Sequence, residues 1–197
     1  PLLNVISYID TKLRKKEHII LVSLDLSKAF DTVNTSGILQ DKIKYYTKND
    51  KITNWIDTFY KERKQFTVWD DARSKLVTNH NISIVQGSSL GPKLFNIYLN
   101  DLPNVCKKLD VVLFADDSNF MLSDRDPTKL SEIVNNELEI IKDYFDSNGL
   151  SINILKTTYL HFCPKGKNRE NLNIKLGSHE LKESQQITFL GINIDNN

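Results

Sequence analysis

Residues 111–122 read VVLFADDSNFML. Two apolar β runs, Val111 to Ala115 and Phe120 to Leu122, flank Asp116-Asp117-Ser118-Asn119. Apolar arms around a polar turn are the grammar of a β-hairpin. An Asp-Asp pair carries no weight by itself: with 17 Asp in 197 positions, chance alone supplies about 1.5 such pairs. The chain has two. Asp70-Asp71 lies in a polar stretch with Lys and Arg nearby and reads as a solvated turn. Asp116-Asp117 differs in context, because its carboxylates stand at a hairpin tip between two apolar strands.

Asp25 is the other carboxylate of this kind. It closes Ile20-Leu21-Val22-Ser23-Leu24, a run apolar enough for a strand buried on both faces. Neighbouring side chains on a regular strand point to opposite faces, whereas at a hairpin turn they can project toward the same region. Carboxylates gathered at the ends of core strands repel one another unless protonated or bridged by a cation. Hard divalent ions such as Mg²⁺ prefer oxygen donors and keep several waters. Two such ions ~3.5–4 Å apart stabilise both the attacking and the leaving oxygen of an in-line phosphoryl displacement. The plainer reading makes Asp25 a cap for the segment after the strand, and Asp116 and Asp117 mere turn residues. Spacing alone leaves the two readings level.

Outward from these residues the chain alternates helices and strands, with no internal repeat and no low-complexity linker. Leu2, Ile6, Ile9 and Leu13 recur at helical spacing and predict an amphipathic helix over residues 2–16. Helices follow over about Gly37 to Tyr46 and Ile52 to Lys61. Strand-like runs at Gln65 to Trp69 and Leu76 to Val85 are separated by Asp70-Asp71. Pro92 opens a helix after a Ser88–Gly91 loop, with Leu94, Phe95, Tyr98, Leu99 and Leu102 as its apolar face. The clearest helix runs from about Thr128 to Asp146 and stops at Asn148-Gly149. Short strands follow near Tyr159–Phe162, Ile174–Leu176 and Ile187–Ile194. The pattern predicts an α+β fold, an antiparallel sheet backed by helices.

Composition bounds the function without naming it. Apolar residues make up 40% and charged residues 26%, enough to bury a core. A net charge of +1 excludes a strongly basic nucleic-acid coat and a polyacidic tail but leaves room for a local basic groove. No apolar stretch approaches the ~18 residues that span a bilayer. Cys106 and Cys163 stand far apart, and His18, His80, His161 and His179 are scattered, so neither a disulfide framework nor a cysteine or histidine metal site is expected. Residue 1 is Pro, with no initiator Met and no signal-like leader. The chain stops at Asp195-Asn196-Asn197, just after an apolar run. Both edges read as cut.

Five blocks, in order over nearly the whole chain, carry a family resemblance. LVSLDLSKAFDTVN at 21–34 resembles the first catalytic block of reverse transcriptases, specifically those of non-LTR retrotransposons. QGSSLGPKLFNIYLNDL at 86–102 resembles their second block, FADD at 114–117 their catalytic hairpin, and NGLSINILKT at 148–157 the block ending in Lys-Thr. FLGI at 189–192 resembles the primer-side turn. The resemblance implies a polymerase palm with part of the fingers and no thumb, so that residues 1–197 are one partial reverse transcriptase domain. It implies RNA-directed DNA synthesis: a primer 3′-OH attacks the α-phosphate of a dNTP on an RNA template.

The same resemblance assigns roles. Asp25 and Asp116 match the two metal-binding carboxylates and Asp117 the second Asp of the hairpin, for two Mg²⁺ ions with Mn²⁺ as a possible substitute. Phe30 matches the bulky residue beneath the sugar of the incoming nucleotide, which leaves no room for a 2′-OH; the plainer alternative is core packing. Gln86 and Gly87 match the loop lining the nucleotide pocket, and Lys156 the lysine near the leaving pyrophosphate. Departures are few. Ile84-Val85 replace the usual Val-Pro before Gln86, Thr35 a frequent His, and Ser118 a frequent Thr. None removes a proposed metal ligand.

Basic clusters lie at Lys12/Arg14/Lys15/Lys16, Lys42/Lys44/Lys48/Lys51, Lys61/Arg63/Lys64 and Lys165/Lys167/Arg169. The first two read as solvated helix faces, and the last two are candidates for phosphate contacts. The expected partners are an RNA template, a DNA primer and dNTPs, with no membrane and an intracellular location, nucleus or cytoplasm. Two rivals stay open: a group II intron-type reverse transcriptase, and a catalytically dead retroelement fragment with at most nucleic-acid binding.

Overall fold

The apolar run that ends at Leu24 becomes the central strand, His18–Leu24, of a five-stranded sheet. The structure, a computed structural model, describes residues 2–61, 63–78 and 82–196. Pro1, His80 and Asn197, named above, and the middle of the Leu76 to Val85 run lie outside the described residues. The chain divides into two units. The first holds the segments up to Ser27, from Asp101 to Ser147 and from Ser151 onward; the second holds Lys28–Asn100 and Asn148–Leu150.

In the first unit the strand order is Lys182–Glu183, Thr158–Phe162, His18–Leu24, Asp117–Asp124, Asp110–Phe114. The pairs are antiparallel except the short one between Thr158–Phe162 and Lys182–Glu183. Because strand side chains alternate, Ile19 and Leu21 face one way. They form a core with Met121, Leu160 and Phe162, with Val5 of the helix Leu2–Arg14, and with Ile187 and Phe189. Ile20 and Val22 face the other way. That side is covered by the helix Pro127–Ser147, whose Leu130, Val134, Leu138, Ile141 and Phe145 are buried at helical spacing. Each such side chain stabilises the fold by roughly 1.5–3 kcal/mol of apolar burial. The expected α+β class, an antiparallel sheet backed by helices, is what forms.

The second unit is helical around Leu39, Ile43, Ile56, Leu94, Phe95 and Tyr98. Its helices are Ala29–Thr32, Ile38–Thr47, Asp50–Tyr60 and Gly91–Leu99. Asn49 caps the third, its side-chain oxygen accepting from the Lys51 and Ile52 N–H groups. A ribbon follows in which Lys64–Gln65 pairs with Val77–Thr78 and Val68–Trp69 with Ala72–Arg73. Asp70-Asp71 form its turn, as the sequence suggests.

Three elements differ from expectation. The polar stretch Asp117-Ser118-Asn119 is strand rather than turn: Phe114 pairs with Asp117, Leu113 with Ser118 and Val112 with Asn119. A two-residue turn lets the backbone ladder close, and these backbone bonds outweigh side-chain polarity. Leu102 does not extend the Gly91–Leu99 helix but opens a separate short one, Leu102–Val105. Pro103 has no N–H to give Leu99, and its ring would meet that carbonyl. The run Ile187–Ile194 is broken into a hairpin, Gln186–Phe189 with Ile192–Asp195, by Leu190 and Gly191 at φ 52° and 75°. No described helix is long and apolar enough to cross a membrane.

Candidate active site

Asp25 follows the central strand directly and is half-buried. The last pairs of that strand, Ser23 with Asn119 and Leu24 with Ser118, set it beside the turn end of the Asp110–Phe114/Asp117–Asp124 hairpin. The hairpin turns on Ala115 and Asp116 alone. Ala115 holds φ 53°, a left-handed conformation that costs a side-chain-bearing residue roughly 1–2 kcal/mol. Backbone strain of this kind gathers where geometry serves a function.

Asp116 and Asp117 are exposed at the tip. The Asp117 carboxyl is nonetheless pushed above the ordinary aspartate range, first by loss of surrounding water, then by the charges of Asp116 and Asp25. Asp116 and Asp25 are thus both near enough to bear on Asp117. Among the described residues no three His, Cys, Asp or Glu side chains converge into a ready-made metal cage. The donor set still fits Mg²⁺, which is commonly held by one or two carboxylates, waters and substrate phosphates rather than by an all-protein cage.

The Lys-Thr block reaches Asp25 through its backbone. The Asn153 N–H donates to the Asp25 carbonyl at 2.8 Å, and the Asp25 N–H donates to Thr157 Oγ1 at 3.3 Å. Thr157 is buried and passes its own hydroxyl proton to the Asn153 carbonyl at 2.8 Å. Sequence reasoning singled out Lys156 and missed Thr157 beside it. Lys156 itself is exposed on the turn, and its ammonium makes no hydrogen bond or ion pair among the described residues.

In the second unit Phe30, Gln86 and Gly87 come together. With Val85, Ser88 and Pro92 they line an open cavity of about 600 Å³. Phe30 is half-buried on the helix Ala29–Thr32 and stacks on the fully buried Phe95, centroids 4.7 Å apart and rings 23° from parallel. The Ile84 N–H donates to the Phe30 carbonyl at 2.7 Å, and the Gln86 side-chain amide donates to Asp31 Oδ1 at 3.1 Å. Gly87 sits at φ 79°, where glycine is favoured. At Gly91 an added Cβ would meet the Val85 carbonyl oxygen at 2.9 Å, so the loop and the helix start approach this closely only with glycine there. From sequence Phe95 was read only as part of a helix's apolar face, and Asp31 was given no role. Both stand inside the quoted blocks, and only their contacts reveal them.

Comparison with known proteins concerns the chain as a whole. The family described as Reverse transcriptase (RNA-dependent DNA polymerase) matches residues 3–194. The chain is 24% identical over 202 residues to the RNA-directed DNA polymerase from mobile element jockey of Drosophila funebris, covering 98% of this chain and 21% of that protein. It is 26% identical over 176 residues to the Retrovirus-related Pol polyprotein from type-1 retrotransposable element R2 of Popillia japonica, covering 81% and 23%. It thus spans about a fifth of the length of these curated relatives. Among solved structures, telomerase from Candida tropicalis in complex with the TWJ fragment of telomeric RNA matches with a TM-score of 0.66 at 15% identity, over 99% of this chain and 32% of that one. At that identity the likeness concerns the fold.

Proposed function

Because this chain belongs to the reverse transcriptase family, we propose that it carries the catalytic carboxylates and the nucleotide pocket of an RNA-directed DNA polymerase of a non-LTR retrotransposon. The family match over residues 3–194 supports reading the chain as part of one reverse transcriptase domain. The reaction is attack of a primer 3′-OH on the α-phosphate of a dNTP, releasing pyrophosphate, with an RNA template choosing the dNTP. The observation that carries the reading is that Asp25 ends the central strand whose last pairs run against the tip of the hairpin bearing Asp116 and Asp117.

Each residue has a role in that reaction. Asp25 and Asp116 would hold two Mg²⁺ ions, with Asp117 adding negative charge beside them. When bound, the ions lower the pKa of the 3′-OH and neutralise the leaving phosphate charge. Asn153 and Thr157 hold the Asp25 backbone in register. Phe30 fills the space a ribose 2′-OH would need, supported from below by Phe95. Gln86, oriented by Asp31, and Gly87 line the pocket that receives the nucleotide. Lys156 serves the leaving pyrophosphate. Cys106 and Cys163 are free thiols, which suits a reducing intracellular compartment, nucleus or cytoplasm.

RNA-templated primer extension by the parent protein tests the proposal. Extension should require Mg²⁺ or Mn²⁺ and stop with chelator. Asp116→Asn should lower the rate at least about a hundredfold, the size of losing one preorganised electrostatic group. Template-primer affinity should change far less, since it comes from cationic contacts to phosphates. Near-parental extension by Asp116→Asn in Mg²⁺ would remove the carboxylate from the mechanism.

A further inference from the structure

A sheet edge presents a row of unpaired backbone N–H and C=O groups, which proteins ordinarily blunt with charge, proline, a bulge or brevity. The five-stranded sheet of the first unit has two edges of different kinds. One is Lys182–Glu183, short and charged. The other is Asp110–Phe114, five residues reading DVVLF. It carries no Lys and no Pro, and its pairing with Asp117–Asp124 runs without a bulge from Asp110–Met121 to Phe114–Asp117. Val111, Val112 and Leu113 are half-buried, and Phe114 is 51% exposed.

The two-residue turn fixes which groups face outward. Phe114 and Asp117 flank it and exchange both backbone bonds, after which bonded and non-bonded pairs alternate along the hairpin. Phe114, Val112 and Asp110 thus direct their N–H and C=O groups into the sheet. Those of Val111 and Leu113 point outward, and among the described residues no backbone group outside the ladder bonds to them. Just before the strand, Lys107 and Lys108 are exposed, and their ammonium groups make no ion pair among the described residues. Their backbone N–H groups donate to Glu137 Oε2 at 2.9 and 3.3 Å, which holds the chain as it enters the strand. Just after the strand come the exposed Asp116 and Asp117. Lysines precede this apolar edge and carboxylates follow it, so the edge complements itself when turned end for end.

We propose that Asp110–Phe114 pairs antiparallel with the same strand of a second copy of this chain, centred on Val112, and that this sets Lys108 of one copy against Asp116 of the other. The register centred on Val112 is the one that overlaps the whole strand. It puts Val111 opposite Leu113, so that outward groups meet outward groups and each such pair exchanges both backbone bonds. The contact is isologous and closes on two copies. Asp110 stands opposite Phe114, whose ring reaches diagonally to Val112 of the second copy. A shift of register toward the turn would instead set Asp110 against Asp116, two like charges. Counting two residues on from each end brings Lys108 to Asp116. An ammonium there neutralises the carboxylate and obstructs it, so the paired form has its catalytic hairpin shut. That consequence rests on the polymerase reading, whereas the pairing rests on the strand alone. Five residues a side make a small interface, which belongs with reversible encounters rather than permanent dimers.

Val112 tests the register directly. Opposed residues of a non-bonded pair have Cα atoms ~4.5 Å apart, within reach of a disulfide. In a Cys163→Ser background, Val112→Cys should therefore cross-link into a dimer under mild oxidation. Phe114→Cys, equally accessible but opposed to Asp110, should not. Val111→Pro removes an outward donor and no bond of its own ladder. It should keep cooperative unfolding while abolishing the dimer that sedimentation detects at high protein concentration. Lys108→Asp should weaken that dimer several-fold, and adding Asp116→Lys should restore it. In the parent protein, the oxidised Val112→Cys dimer should extend primers at least about tenfold more slowly than after reduction. Sedimentation as a monomer at every concentration, with Val112→Cys no more cross-linked than Phe114→Cys, overturns the pairing and leaves the edge to some other strand. A cross-linked dimer that extends as fast as the reduced protein overturns the shutting of the hairpin. A specific cross-link with no extension before or after reduction upholds the pairing and sinks only the polymerase reading.

Discussion

The Asp25 backbone N–H donates to Thr157 Oγ1, a side chain 132 residues further along the chain. The bond ties the end of the central strand to the turn of the Lys-Thr block, and the Asn153 N–H closes the grip on the Asp25 carbonyl. A carboxylate on a strand end has only its backbone to fix its direction. Here that backbone is held from both sides by one short turn.

Thr157→Val keeps the shape of the side chain and removes the acceptor. It leaves the Asp25 N–H without its partner, a cost of about 1–3 kcal/mol for a buried donor. We expect a lower Tm and a fall in kcat of about tenfold or more, since small displacements of reacting groups cost that much. KM for dNTP should stay near the parental value. Thr157→Ser should restore both rate and Tm. Equal loss in the Val and Ser variants would show that the methyl, not the hydroxyl, matters.

Asp117 carries the repulsion of the carboxylate group, its carboxyl raised by lost hydration and by Asp116 and Asp25. Removing one like charge relieves the fold. Asp117→Asn should therefore raise Tm in metal-free buffer. Added Mg²⁺ should raise the parent's Tm by linkage and the variant's by less. Thermal unfolding with and without Mg²⁺ reads both effects, and a lower metal-free Tm in the variant would contradict the repulsion.

Much of this was legible in the sequence, for reasons visible in single residues. The helix Pro127–Ser147 keeps Leu130, Val134, Leu138, Ile141 and Phe145 on one stripe, a helical period sustained over about five turns. The central strand announces itself by continuous apolar residues, and Asp25 by ending them. Asp70-Asp71 was legible as a turn because a polar pair follows the strand-like run Gln65 to Trp69, whereas its close partner Ala72-Arg73 was not. Asp117 to Asn119 misled because polarity marks turns only on average, while the closing ladder is decided between strands. Leu102 fits the helical period, and Pro103 decides against it. Thr157 and Phe95 could be read as motif members but not as supports, because each acts on a residue far away in the chain.

His18 and His161 form a buried pair on neighbouring core strands, with His18 Nδ1 and His161 Nε2 3.1 Å apart. One nitrogen of the two must carry the proton and the other accept it. His161 Nδ1 has no partner. Burial, then the charges of Arg169 and His18, pull the His161 pKa down to about 4; burial and Lys167 lower His18 as well. A folded-state value below the unfolded one of about 6.5 means that the unfolded chain binds the extra proton more readily. Stability from this site is whole above about pH 6.5 and is lost as pH falls toward 4, by up to about 3 kcal/mol. Urea unfolding across that window should show it. His161→Gln, which cannot titrate, should flatten the slope by about one proton.

Phe30 and Phe95 stack with their centroids 4.7 Å apart, and the two rings differ in exposure: Phe95 is fully buried and Phe30 half-open to the cavity it lines. A residue that excludes a 2′-OH by bulk must resist being pushed aside. Phe95 supplies that resistance, since its own ring has nowhere to go in a close-packed core. Two substitutions separate bulk from backing. Phe30→Val deletes the ring and should raise rNTP use relative to dNTP, mainly through better use of rNTP. Phe95→Leu keeps the Phe30 ring but removes its flat support, and should raise rNTP use by a smaller factor at some cost in Tm. Single-nucleotide incorporation with matched rNTP and dNTP measures both. If neither variant shifts the preference while dNTP incorporation continues, Phe30 is a packing residue of the second unit and the sugar is read elsewhere.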